Sequence, residues 1–217
     1  MTPVEAVVFD LDGVLVQSEE LWDAARRELA EEHGIEWPDD ATDAMMGMSS
    51  KEWSNYMHDE VGVPDPPEEI NREVLAWVEK RYRDDLPWID GAREAVERIG
   101  ERFPLGIATS SNREIIDIVV EVGGFEDLLE VTVSSEEVER GKPAPDVYLE
   151  ATKRMGVDPR KTAAVEDSTN GLLAAKAAGM RVIAIPNDAH PPAAKGLAAA
   201  DVVLHSIEEL TPGVVMG

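Results

Sequence analysis

Residues 4–15 read VEAVVFDLDGVL. The run from Val4 to Phe9 is mostly apolar and ends at Asp10. A continuous apolar run of this length predicts a strand buried on both faces of a parallel sheet. Similar short runs recur at 105–108, 131–133, 162–165, 182–185 and 202–204. Helical patterns lie between most of them, at 114–122, 145–155 and 169–178, with Gly123 and Gly179 as C-terminal stops. Strand alternating with helix predicts an α/β fold with a doubly wound, three-layer, Rossmann-like parallel sheet.

One connection breaks the rhythm. About 90 residues separate Asp12 from the next run at Leu105, far more than a normal crossover needs. Residues 16–86 read as helical throughout. Leu21, Ala24, Ala25 and Leu29 have helical spacing, as do Val74, Leu75 and Val78. The expected organisation is a helical cap at 16–86, inserted into a core made of 1–15 and 87–217. The crossover helix itself falls at 91–102.

Composition narrows the function classes. The chain has 217 residues, 43% hydrophobic, and no cysteine, which excludes disulfides and thiolate chemistry. The N-terminus has no basic region before its apolar stretch, and no apolar run reaches bilayer length, so a soluble cytoplasmic protein is expected. Lys+Arg number 20 against 45 Asp+Glu, a net charge of -25. Such a surface repels nucleic acid and anionic membranes, so neither is an expected partner. The acids are spread along the chain and arginine outnumbers lysine 13 to 7. Both features fit adaptation to a salt-rich, halophilic cytoplasm. With no long unexplained apolar stripe, a monomer is expected.

Ligands of open parallel sheets bind beyond the carboxyl ends of the strands. The first strand ends at Asp10, with Asp12 two positions on. The second leads into Thr109, Ser110, Ser111 and Asn112. The third leads to Gly141, Lys142 and Pro143, and the fourth to Glu166, Asp167 and Ser168. Four carboxylates cannot share a small site fully ionised without a cation. An all-oxygen ligand set suits Mg²⁺. A lysine beside it complements a dianionic phosphate. Thr109 and the amides of the next helix add donors for phosphate oxygens, and a carboxylate can act as a nucleophile. The set points to phosphoryl transfer.

Four motifs carry a resemblance: FDLDGVLVQSE at 9–19, IATSSN at 107–112, GKPAPDVYL at 141–149 and VEDSTNGLLAAKAAGM at 165–180. Together they resemble the haloacid dehalogenase superfamily. The likeness is to its helical-cap subgroup, which includes β-phosphoglucomutase and phosphoglycolate phosphatase. The resemblance implies Asp10 as nucleophile and metal ligand, and Asp12 as general acid/base whose carbonyl also ligates the metal. It implies Thr109 and Ser110 as phosphoryl binders and Lys142 as the neutralising cation. Asp167 would hold the metal, and Glu166 would support it directly or through water. The implied activity is Mg²⁺-dependent hydrolysis of a small phosphomonoester, of the sugar phosphate or phosphoglycolate type. A phosphomutase and a non-catalytic binding module are the alternatives. The mutase pattern has a histidine where Trp22 stands and an arginine where Ser50 stands, and both departures favour hydrolysis.

In the cap, the expected substrate-facing residues are Trp22, Gly47, Ser49, Ser50 and Lys51, with a helix N-cap at Ser49 or Ser50 as the alternative. Met45, Met46 and Met48 are expected in the cap core. His33, His58, His190 and His205 are scattered and have no expected role. Ser168 is expected to cap the helix that follows it, and Gly171 to allow close packing against the site.

Overall fold

A computed structural model of the chain describes residues 3–45, 48–187 and 191–217. Six parallel strands form the sheet among these residues: β1 (Ala6–Phe9), β2 (Leu105–Thr109), β3 (Leu129–Ser134), β4 (Thr162–Glu166), β5 (Arg181–Ala184) and β6 (Val202–Val203). Their order is β3-β2-β1-β4-β5-β6. β1 is therefore central, and the order reverses on either side of it. Such a reversal opens a crevice at the strand ends. Phe9 pairs with Ile107 on one side and Val165 on the other. That register brings Asp10, Thr109 and Glu166 to the same edge.

Alternate residues of the strands build the two faces. Val7, Phe9, Ile107 and Val165 pack with Ile99 and Ile116, while Val8, Ala108 and Ala164 pack with Tyr148 and Leu172. The first face is covered by helices at Ala92–Gly100 and Arg113–Gly123, the second by those at Asp146–Met155 and Thr169–Ala177. Short helices at Ala194–Leu197 and Pro212–Met216 complete the core.

Between β1 and residue 92 lie helices α1 (Glu19–Glu32), α2 (Ala41–Met45), α3 (Ser50–Tyr56) and α4 (Pro67–Asp84), with a π-helical turn at Met57–Val61. The segment is thus not helical throughout: residues 35–38 and 63–66 are non-helical links. α1 packs on α4 and buries Trp22, Ala25, Leu29 and Ala30. Ala24 faces solvent and Leu21 is only partly buried. Trp22 is the buried residue of the first turn in place of Leu21, while Ala25 and Leu29 are buried as their spacing predicts. The chain enters and leaves this segment side by side. Gln17 N–H donates to Pro87 O at 2.8 Å, and Ile89 N–H to Leu15 O at 3.0 Å. No helix of the described residues is long and apolar enough to cross a membrane.

Candidate active site

β1 ends by handing its backbone to the next strand: Asp10 N–H donates to Val165 O at 2.9 Å. The Asp10 carboxylate then stands clear of the sheet, almost wholly buried. Lys142 Nζ donates to Asp10 Oδ1 at 2.8 Å and to Glu166 Oε1 at 2.6 Å. Tyr148 donates its phenol to the same Glu166 oxygen at 2.7 Å. The other oxygen of Glu166 accepts from the amides of Asp167 and Ser168 and from the Ser168 hydroxyl, at 3.2–3.3 Å. Every oxygen of this fully buried carboxylate is engaged, so Glu166 holds its neighbours in place.

Asp12 is held differently. Its Oδ2 accepts from the Ser111 hydroxyl and, at 3.3 Å, from Thr109 Oγ1. Thr109 Oγ1 in turn accepts from Ser111 N–H at 3.1 Å. The second oxygen, Oδ1, is buried without a hydrogen-bond partner. Asp167 shows the same asymmetry: its Oδ1 is buried and unpartnered.

Burial dominates the electrostatics. Desolvation pushes Asp10 up to about 7, with Lys142 opposing and Glu166 and Asp12 reinforcing the rise. Asp167 is pushed well above the carboxylate range by desolvation and by Glu166 and Asp10. Desolvation works against the charge of Lys142, but Asp10 and Glu166 together outweigh it and hold the ammonium protonated. Three buried carboxylates thus share a single ammonium. Oxygens of Asp10, Glu166 and Asp167 approach one another within 4.8 Å. The orphaned Asp167 oxygen and the uncompensated charge fit a hard divalent cation. With Glu166 already saturated, Asp10 and Asp167 have the free oxygens to hold it.

Above this edge opens a cavity of about 480 Å³, with Trp22, Arg26 and Trp53 on the cap side and Asp10, Thr109 and Lys142 on the core side. That size suits a small-molecule site.

The model of the haloacid dehalogenase-like hydrolase family matches residues 7–185. The chain belongs to this family. Hexitol phosphatase B of Escherichia coli is 33% identical over 98% of this hydrolase and 96% of its own length. The phosphorylated carbohydrates phosphatase of Thermotoga maritima is 33% identical over 83% of this chain and 84% of its own. Among solved structures, CbbY from Rhodobacter sphaeroides in complex with xylulose-1,5-bisphosphate superposes with a TM-score of 0.87. It is 25% identical, and the match covers 98% of this chain and 99% of that one.

The structure gathers Asp10, Asp12, Thr109, Ser110, Lys142, Glu166 and Asp167 at one sheet edge; all but the fully buried Glu166 line the cavity. Trp22 lines it too. Ser49, Ser50 and Lys51 are not among the residues that line it. Ser49 precedes α3, where the Glu52 carboxylate accepts from its amide at 2.8 Å and its hydroxyl at 2.7 Å. Ser50 donates to Glu136 Oε1 at 2.9 Å, and Lys51 is exposed. These residues are used in starting a helix and fastening it to the core. Gly47, Met46 and His190 lie outside the described residues. Met45 and Met48 line the cavity, and Met45 is also buried in the core. His33 pairs with Asp65, and His58 meets Val63 O. Ser168 accepts from Gly171 N–H at 3.0 Å, as a helix cap does. Two residues escaped the sequence reading. Tyr148 sat inside a quoted motif, but only its fold position puts it on Glu166. Arg26 lies in a helical stretch outside every motif, and only the two indoles beside it in the fold mark it out.

Proposed function

We propose that this hydrolase is a Mg²⁺-dependent phosphatase of small soluble phosphomonoesters, sugar phosphates foremost, working through an aspartyl-phosphate. The observation that carries the reading is the contrast between two aspartates two positions apart. Asp10 is fixed by an ammonium beside the acidic cluster, whereas Asp12 is fixed by two hydroxyls and keeps one free oxygen. The named activities of the two bacterial relatives support the substrate class.

An Asp10 oxygen attacks phosphorus, and the bond from phosphorus to the leaving oxygen breaks. Asp12, entering protonated, gives its proton to that oxygen and releases the alcohol. Asp12 then takes a proton from water, whose oxygen attacks the aspartyl-phosphate. The bond between phosphorus and Asp10 breaks, orthophosphate leaves, and Asp12 is again protonated. Lys142 favours the ionised form of Asp10 and offsets charge on the phosphoryl oxygens. Thr109 and the Ser110 amide orient those oxygens. Asp10 and Asp167, with Glu166 and the Asp12 carbonyl in support, would hold Mg²⁺, which supplies charge neutralisation for the transferring group. Residues 16–86 act as a cap that keeps bulk water out. We further place the protein in a salt-rich cytoplasm, as a monomer acting on a free metabolite, with neither nucleic acid nor membrane as partner.

The test is phosphate release from a panel of sugar phosphates and phosphoglycolate in molar KCl, with Mg²⁺ or EDTA. Metal-dependent release that Asp10→Asn abolishes is expected. Turnover that survives Asp10→Asn overturns the nucleophile, and metal-dependent transfer to a second hydroxyl without phosphate release replaces hydrolysis by a mutase reaction.

A further inference from the structure

Two cations line the cavity among the described residues, Lys142 and Arg26. Lys142 is committed to Asp10 and Glu166. Among the described residues Arg26 makes no hydrogen bond or ion pair, and its Nε is buried without a partner. Its guanidinium carbon lies 4.9 Å from the ring centroid of Trp53 and 5.6 Å from that of Trp22. The two indoles meet each other at 6.0 Å, so the guanidinium is propped on a rigid aromatic wall.

Asp23 and Asp12 are the carboxylates whose charges act on Arg26, and neither pairs with it among the described residues. Asp23 accepts from Arg27 Nε and from the Thr42 hydroxyl, both at 2.5 Å. Asp12 accepts from Ser111 and Thr109 through one oxygen, and its other oxygen is buried without a partner. Glu20, which also lines the cavity, is exposed to water. Desolvation lowers Arg26 to about 10, with Asp23 and Asp12 opposing, so it stays charged near neutrality. A desolvated cation without a partner is costly, and a ligand anion relieves that cost. The planar fork of a guanidinium matches a carboxylate or a phosphate through two parallel hydrogen bonds.

We propose that Arg26 binds a second anionic group of the substrate, a carboxylate or a phosphate, remote from the phosphoryl group that Asp10 attacks. This rests on the phosphatase reading of the site. It makes Arg26 a specificity residue, separating phosphomonoesters that end in an anion from those that end in a hydroxyl.

Two matched pairs test it: 3-phosphoglycerate against glycerol 3-phosphate, and fructose 1,6-bisphosphate against fructose 6-phosphate. In the parent enzyme, kcat/KM favours the anion-bearing member of at least one pair; the carboxylate pair and the phosphate pair tell which anion is meant. Arg26→Gln lowers that preference at least tenfold, mainly through KM. Arg26→Lys keeps charge without the fork and retains part of it, and stands in if Arg26→Gln does not fold. Loss of rate in equal proportion for both members, or no preference in the parent, overturns the inference. Calorimetric binding of the same four compounds to Asp10→Asn, with and without Arg26→Gln, separates the two readings. Discrimination in binding without turnover in the parent keeps Arg26 and removes the phosphatase. Equal affinities within both pairs remove Arg26 whatever the turnover.

Discussion

Lys142 Nζ lies 2.8 Å from Asp10 Oδ1, and both side chains are almost sealed from water. The ammonium is the main force drawing the Asp10 carboxyl down from the rise that burial imposes. Replacing Lys142 by Met removes that pull and leaves Asp10 protonated to higher pH. Turnover should fall about 10²–10³-fold, the scale of losing one preorganised electrostatic partner. The acidic limb of the kcat/KM profile should move to higher pH. An unmoved limb in a folded Lys142→Met protein would mean that Lys142 does not govern the ionisation of Asp10.

Two glycines leave room that no other residue can leave. A Cβ on Gly171 would lie 1.8–2.0 Å from the Glu166 carboxyl atoms, and one on Gly13 would lie 2.0 Å from Asp167 Oδ2. Gly13 also has φ 77°, in the left-handed region. Gly171→Ala should cost about 1–3 kcal/mol, as overpacking does. It should also reduce turnover, because Glu166 fixes Lys142. Gly13→Ala should lose both stability and metal affinity. Gly34→Ala is the control: φ is 69° there, but nothing lies within 4 Å. It should lower the melting temperature without changing metal affinity. If Gly13→Ala binds Mg²⁺ as the parent does, Asp167 is not where the ion sits.

Strand ends were the legible part of the sequence. An apolar run closing on Asp10, and another closing on Glu166 and Asp167, mark both the sheet and the acidic edge, because a strand buried on both faces must be apolar until it leaves the sheet. Gly171 was legible only as a close approach; its partner, Glu166, needed coordinates. The cap resisted for a physical reason. Its helices bury stripes against one another, so a stripe residue and a cavity residue look alike in sequence. Trp22 is both, whereas Ser49 and Ser50, polar and near a loop, are used as helix-start and latch groups. Arg26 shows the limit most plainly. Its guanidinium lies over the ring of Trp53, 27 positions away in the chain.

Metal removal should reverse the usual pH dependence of the site. Asp10 and Asp167 both have raised carboxyls. Between the unfolded carboxylate value, near 3.9, and the raised folded values, the folded protein binds more protons than the unfolded one. The contribution of these groups to stability therefore falls as pH rises through that window. In EDTA the melting temperature should drop from pH 5 to pH 7.5. Mg²⁺ should recover most of that drop at pH 7.5 and little of it at pH 5, because the ion competes with the protons. Asp10→Asn should flatten the EDTA slope. A slope equally steep in the double variant Asp10→Asn with Asp167→Asn would assign the effect to the general surface charge.

That general charge makes its own prediction. The chain carries -25, and the last turn of α1 has no basic residue, although Glu31 and Glu32 lie there exposed. Acidic side chains at a helix C-terminus oppose the helix dipole, by about 0.3–1 kcal/mol each at low ionic strength. The screening length is about 10 Å at 0.1 M salt and about 3 Å at 1 M. The melting temperature should therefore rise from dilute buffer to molar KCl, most steeply at the low end, where screening changes most. Glu31→Lys with Glu32→Lys should raise it in dilute buffer and do almost nothing in molar KCl, so the gap between the two conditions narrows. An unchanged melting temperature across KCl concentrations would remove the salt adaptation. A gap that the double substitution leaves intact would place the effect in ion binding or hydration rather than in charge repulsion.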